Sequence, residues 1–135
     1  MKLSQGQPQK LIKILTTLIQ NKPKGSNVFR ERGECLAAID CNTLALKDFK
    51  KHLQQCRADL PVLLKSAELA VKEKRLDLAQ RRLKRALRLD LGRDDEAYLI
   101  RSRAFLAADD YSNASQDCEA SIRSNGSHPQ SFALL

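Results

Sequence analysis

Apolar residues recur along this chain at gaps of three and four. In "DDYSNASQDCEASI", residues 109–122, Tyr111, Ala114, Cys118 and Ile122 fall on one helical stripe, with Ser, Asn, Gln, Asp and Glu around the rest. Leu11, Ile14, Leu15, Leu18 and Ile19 make a comparable face near the start. Strong breakers punctuate the chain at Pro23 with Gly25, at Pro61, at Leu91-Gly92, and at Gly126 with Pro129. The stretches between them, about thirty residues each, are too long for one average helix and suit two. Weaker polar breaks divide each pair at "DCNT" 40–43, "KEKR" 72–75 and "AADD" 107–110. The pattern predicts helices at 9–21, 27–39, 43–56, 61–73, 76–90, 95–108 and 111–124, with another opening at 129–135. No run of alternating β-branched residues predicts a strand.

Three stretches superpose without internal gaps: "VFRERGECLAAIDCNTLALKDFKKHLQQC" 28–56, "VLLKSAELAVKEKRLDLAQRRLKRALRLD" 62–90 and "AYLIRSRAFLAADDYSNASQDCEASIRSN" 97–125, at offsets of 34 and 35 residues. Small residues fall in register at Gly33, Ala67 and Ser102 in the first helix, and at Ala45, Ala79 and Ala114 in the second. A third column holds Ala86 and Ser121, with His52 in the first stretch. Large apolar columns hold Phe29, Leu63 and Tyr98; Leu36, Ala70 and Phe105; Leu76 and Tyr111; and Leu53, Leu87 and Ile122.

On these columns the sequence resembles the tetratricopeptide repeat family, whose period is about 34 residues and whose small residues mark close helix contacts. The resemblance implies an all-α fold, a right-handed superhelix of antiparallel helix pairs (an α-solenoid) with about 7–8 helices. The organisation it implies is a flexible tail at 1–8, then a repeat domain at 9–135. That domain comprises a half repeat 9–26, repeats 27–60, 61–94 and 95–128, and the start of a further helix at 129–135. Asn42 stands where the family has an aromatic or leucine, and His52 where it has alanine, so the first full repeat is expected to pack less tightly. Leu91 and Gly126 replace the usual proline after the second helix, and Gly92 and Gly126 suit left-handed helix ends. Ala114 is expected to be small because helix 97–107 approaches it, with Tyr111 and Ile122 filling the flanks.

With 42% hydrophobic and 30% charged residues, the composition is that of an ordinary soluble chain. Tryptophan is absent and only two Tyr and four Phe are present, so leucine and alanine must build the core. Lys10 and Lys13 interrupt the N-terminal apolar run, and neither a signal peptide nor a membrane span is expected. Cys35, Cys41, Cys56 and Cys118 lack framework spacing, which points to free thiols in a reducing, cytoplasmic compartment.

Charge is unevenly distributed. The net +8 divides into +6 over residues 1–60, +6 over 61–93 and −4 over 94–135. The densest basic run, "RRLKRALR" 81–88, puts Arg81, Arg82, Lys84, Arg85 and Arg88 on one helix. Such a run suits phosphate contact, although no aromatic between Phe49 and Tyr98 offers a base a stacking platform. It equally suits a solvated face of arginines lying over leucines, or head-to-tail contact with the acidic C-terminal repeat.

Catalytic constellations are missing, and no enzyme activity, cofactor or metal is expected. His52 and Cys56 lie four apart with Cys41 near the start of their helix, but no fourth ligand is evident. The resemblance implies an inner groove formed by the first helix of each repeat, here Asn27, Arg30, Glu34, Leu64, Glu68, Lys72, Leu99 and Arg103. Glu34, Glu68 and Glu96 would oppose a terminal carboxylate, so the chaperone-tail clamp of some family members is not carried over. Mixed charge with leucines suits an extended or helical peptide. The expected function is therefore a protein–protein interaction scaffold or adaptor, without membrane association, whose incomplete end repeats favour self-association. The second reading is a basic nucleic-acid-associated adaptor using residues 81–88.

Overall fold

The computed structural model describes residues 6–21, 27–89 and 92–124. Among them are seven helices and no strand: α1 Gly6–Gln20, α2 Val28–Ala38, α3 Asn42–Gln55, α4 Leu60–Lys72, α5 Leu76–Leu89, α6 Asp94–Ala107 and α7 Tyr111–Ser124. Helices α2 to α7 match the predicted segments to within one residue at each end. Helix α1 starts earlier, so residues 6–8 are helical where a tail was expected. The segment at 129–135 and Gly126 lie outside the described residues. None of the described helices is long and apolar enough to cross a membrane.

The turns explain why the breaks fall where they do. Asp40, Lys74 and Asp109 adopt φ of 61°, 57° and 58°, at the same column of the three superposed stretches. Each follows a helix closed by two backbone bonds. Cys41, Arg75 and Asp110 donate to Leu36, Ala70 and Phe105 at 2.8 Å, while Asp40, Lys74 and Asp109 donate to Ala37, Val71 and Leu106. This is the Schellman arrangement, repeated three times, and it satisfies carbonyls that the helix end would otherwise leave open. Gly92, at φ 82°, adopts the left-handed conformation expected of it between α5 and α6. Side-chain caps start the next elements: Asp59 accepts from Val62 N of α4, and Asp110 from Asn113 N of α7.

The chain divides into two compact units, Met1–Val62 and Leu63–Leu135. In the first, α2 packs on both α1 and α3 around Leu36, Ala45, Phe49 and Leu53. A Cβ on Gly33 would lie 2.7 Å from Phe49 Cε1, so glycine is what lets α2 approach α3. In the second unit α6 packs on α5 and α7, and Leu63, Ala67, Ala70, Ala79, Leu83, Ala97, Ala104 and Ala114 are buried. Every position of the three small-residue columns is buried, His52 included. His52 is accommodated by a polar bond, Nε2 to Asp59 Oδ2 at 2.8 Å.

Two apolar faces differ from expectation. Tyr111 is 64% exposed and fills no space beside Ala114. The buried stripe of α7 is Ala114, Asp117 and Ser121, because Asp117 is held by Arg101 and Ser121 Oγ donates to Asp95 O at 3.1 Å. Those bonds rotate Cys118 and Ile122 to half-buried positions. On α1, Leu15 is buried but Leu11, Ile14 and Leu18 are exposed, since α2 is the neighbour it packs against within this unit.

Candidate functional site

Polar columns run through the helix pairs alongside the small-residue ones. In the first unit, Arg32 of α2 grips Asp48 of α3 through Nε to Oδ2 and Nη2 to Oδ1, both at 2.7 Å. In the second, Arg101 of α6 grips Asp117 of α7 through the same atoms, both at 2.8 Å. Asp48 and Asp117 are both buried. In each case the hydrogen bond to the carboxylate outweighs burial and raises the guanidinium above its ordinary value. Arg32 Nη1 also donates to Thr16 Oγ1 of α1, and Arg101 lies over the Tyr98 ring. Sequence reasoning missed both pairs. Their signal was opposite charges in matching columns of the first and third stretches.

The middle stretch breaks this pattern. Ser66 of α4 stands in the column of Arg32 and Arg101, and Arg82 of α5 in the column of Asp48 and Asp117. Ser66 is 1% and Arg82 9% exposed. Ser66 Oγ and Arg82 Nε are sealed from solvent without a hydrogen-bond partner. Burial, followed by the charges of Arg85, Arg81 and Arg75, pulls the Arg82 guanidinium below its ordinary value.

This corrects the picture of 81–88 as one solvated basic face. Arg81, Lys84 and Arg88 are exposed and Arg85 is half-buried, but Arg82 lies on the buried stripe of Leu78, Ala79, Leu83 and Ala86. The helical period puts it there, one turn from Leu78 and one from Ala86.

The eight groove residues divide between the units. Asn27 and Glu34 are exposed in the first, and half-buried Arg30 pairs with Glu34 at 3.3 Å and Asp59 at 3.2 Å. Burial depresses the Arg30 guanidinium, but Asp59, then Glu34 and Glu31, outweigh it and leave it raised. In the second unit Glu68, Lys72 and Arg103 converge with Val71 and Ile100 on an open cleft of about 270 Å³. Arg103 Nη1 lies 4.0 Å from Glu68 Oε1, the arginine side chain exposed and the glutamate half-buried. Leu99 is half-buried outside the lining of that cleft. Leu64 is a correction: at 4% exposure it belongs to the core, because α4 buries Leu60, Val62, Leu63, Ser66, Ala67, Leu69 and Ala70 around most of its circumference.

Asp59 joins His52 and Cys56 in a cluster whose candidate ligand atoms lie within 4.8 Å of one another. Cys41 is not part of it. Arg30 already sits on Asp59 and would repel a cation there, so the cluster reads as a polar latch closing the turn into α4. A larger cleft of about 560 Å³ lies among α1, α2 and α3, with Ile12, Leu36 and Leu44 among its apolar residues and Lys47, Lys50 and Lys51 among its charged ones.

No family model and no curated protein matches the chain. Among solved structures, one described as "MamA RS-1 ArsTM double mutant" matches with a TM-score of 0.79 at 15% sequence identity, covering 93% of this chain and 70% of that one. MamA is a tetratricopeptide-repeat protein. The match and the all-helical architecture give this chain the same kind of fold, an α-solenoid of tetratricopeptide-like helix pairs.

Proposed function

We propose that this chain is a non-enzymatic, cytoplasmic protein-interaction module that takes an extended or helical peptide segment of another protein. A fold of stacked helix pairs supports the reading, since such folds offer continuous surfaces between successive helices. The observation that carries it is the cleft in the second unit, where Glu68, Lys72 and Arg103 come together over Val71 and Ile100. An apolar floor under charges of both signs suits a peptide that is itself amphipathic. The burial of Arg82 takes one cation of 81–88 out of reach of a phosphate backbone, so the protein reading is preferred over nucleic acid.

Selection of peptides from a displayed library against the intact chain tests the reading. Representative peptides should lose about tenfold or more in affinity for Glu68→Ala/Lys72→Ala/Arg103→Ala, with the helical circular dichroism unchanged. Peptides that bind both proteins alike would remove the cleft as the site. Tight single-stranded DNA binding that disappears in Arg81→Glu/Lys84→Glu/Arg88→Glu would replace the protein reading with the nucleic-acid one.

A further inference from the structure

We infer that the cleft among α1, α2 and α3 receives the acidic turn between α6 and α7 of a second copy of this chain, so that copies join head to tail. The inference is independent of the cleft lined by Glu68, Lys72 and Arg103. It rests on two exposed surfaces of opposite charge, one in each unit. The receiving surface is the cleft of about 560 Å³ in the first unit, with Ile12, Leu36 and Leu44 as its apolar residues. Leu44 is 51% exposed. Lys47, Lys50 and Lys51 line the same cleft from α3, and all three are exposed. The acid in its lining, Asp48, is buried with both carboxylate oxygens held by Arg32. The cleft thus joins accessible apolar surface to an excess of positive charge, and what fills it must be both apolar and acidic. Helix α5 repeats the cations in the same columns at Arg81, Lys84 and Arg85, but Leu78, the counterpart of Leu44, is buried. Cations alone are therefore not what sets the first cleft apart.

The turn between α6 and α7 has the complementary chemistry. Leu106 and Tyr111, 48% and 64% exposed, stand on either side of it, with exposed Asp109 and half-buried Asp110 between them. The corresponding places at the other two turns hold Ala37 and Asn42, and Val71 and Leu76, all four half-buried. Of three turns with one backbone design, this is the one that presents two large uncovered side chains. Residues 94–135 around it carry −4, against +6 for residues 1–60. Each copy is positive overall, but exposed charges more than about 8 Å apart are largely screened at physiological salt, which leaves the local match to decide. Tyr111 suits an anchor, since a tyrosine ring buries a large rigid surface at low entropic cost. A cleft in one unit meeting a turn in the other is a heterologous contact. The second copy keeps its own cleft free, so association continues past the dimer.

The test is sedimentation velocity of the full chain from about 1 μM to about 1 mM. The parent should grow in mean size with concentration, beyond the dimer. Lys47→Glu/Lys50→Glu and Leu106→Ser/Tyr111→Ser should each weaken association about tenfold or more, with the helical circular dichroism unchanged because all four side chains are exposed. Arg81→Glu/Lys84→Glu makes the same charge change in the same columns of α5 and should cost about threefold or less. An equal mixture of the two weakened variants brings an intact turn to an intact cleft, and should form dimers that grow no further.

A parent that stays monomeric throughout would overturn the inference. If that parent then binds a labelled acidic amphipathic peptide in fluorescence anisotropy and Lys47→Glu/Lys50→Glu does not, the cleft belongs to a separate partner. Equal losses for the α3 and α5 variants would overturn it in favour of diffuse charge. A mixture no more associated than its two components would overturn the pairing of turn with cleft.

Discussion

Helices α6 and α7 and helices α4 and α5 follow one sequence plan and differ in what their polar columns hold. Both pairs have the left-handed residue at the turn, the same two closing hydrogen bonds and the same buried small columns. In α6 and α7 the polar columns are filled by Arg101 and Asp117, two groups that satisfy each other. In α4 and α5 they are filled by Ser66 and Arg82, which do not. The geometry of a pair is thus set by small side chains and backbone turns, while the polar columns vary without altering it.

The largest expected effect is on the satisfied pair. Arg101→Met leaves Asp117 buried without its counter-charge and should cost about 3–5 kcal/mol, read as a lower melting temperature by circular dichroism. An unchanged melting temperature would mean that the pair holds nothing together.

Gly33→Ala comes next. Ala67 and Ser102 occupy that column in the other stretches, but Phe49 stands 2.7 Å from the added Cβ in the first. Forcing the ring aside should cost about 1–3 kcal/mol in denaturant unfolding. A neutral result would show that the first repeat has the looseness its sequence suggested.

Arg82→Met sharpens the comparison through its sign. The chemical change is the one made at Arg101, but here it removes a buried cation whose Nε has no hydrogen-bond partner, and the chain should gain about 1–2 kcal/mol. Loss of stability instead would mean that Arg82 has an internal partner in solution.

The smallest effect concerns the turns. Aspartate tolerates the left-handed region better than lysine does, so Lys74→Gly should stabilise by about 0.5–1 kcal/mol. The same change at Asp40 or Asp109 should do less, and equal gains at all three would mean that the residue type at the turn is immaterial.

Much of the fold was legible because the features that set it are local. Breakers mark the helix ends, and the small columns repeat in register with nothing intervening, so the boundaries of α2 to α7 and the buried places of Ala45, Ala79 and Ala114 could be read directly. What could not be read depended on treating charge as a surface property. Asp48, Asp117 and Arg82 carry charges that a hydrophobicity scale assigns to solvent, yet each lies on the buried stripe of its helix. Misplacing Asp117 also misplaced Tyr111, because the ion pair and not the aromatic sets the rotation of α7. Leu64 was taken for a groove residue although α4 is apolar around most of its circumference. Asp59 was overlooked for a different reason: it lies in a turn, and only the folded chain brings it to both Arg30 and His52.

The three left-handed turns have a consequence for how such a chain tolerates insertion. Exactly three residues separate α2 from α3, α4 from α5 and α6 from α7. The one residue by which the copies differ in spacing falls instead at the front of α6, which has 14 residues where α4 has 13. The first turn of a pair's leading helix therefore works as slack, and the turn within a pair as a reading frame. A residue added ahead of a pair lengthens a helix start and is absorbed. The same residue added at Asp40, Lys74 or Asp109 would turn the following helix by about 100° and carry its small residues out of the contact they were selected to make.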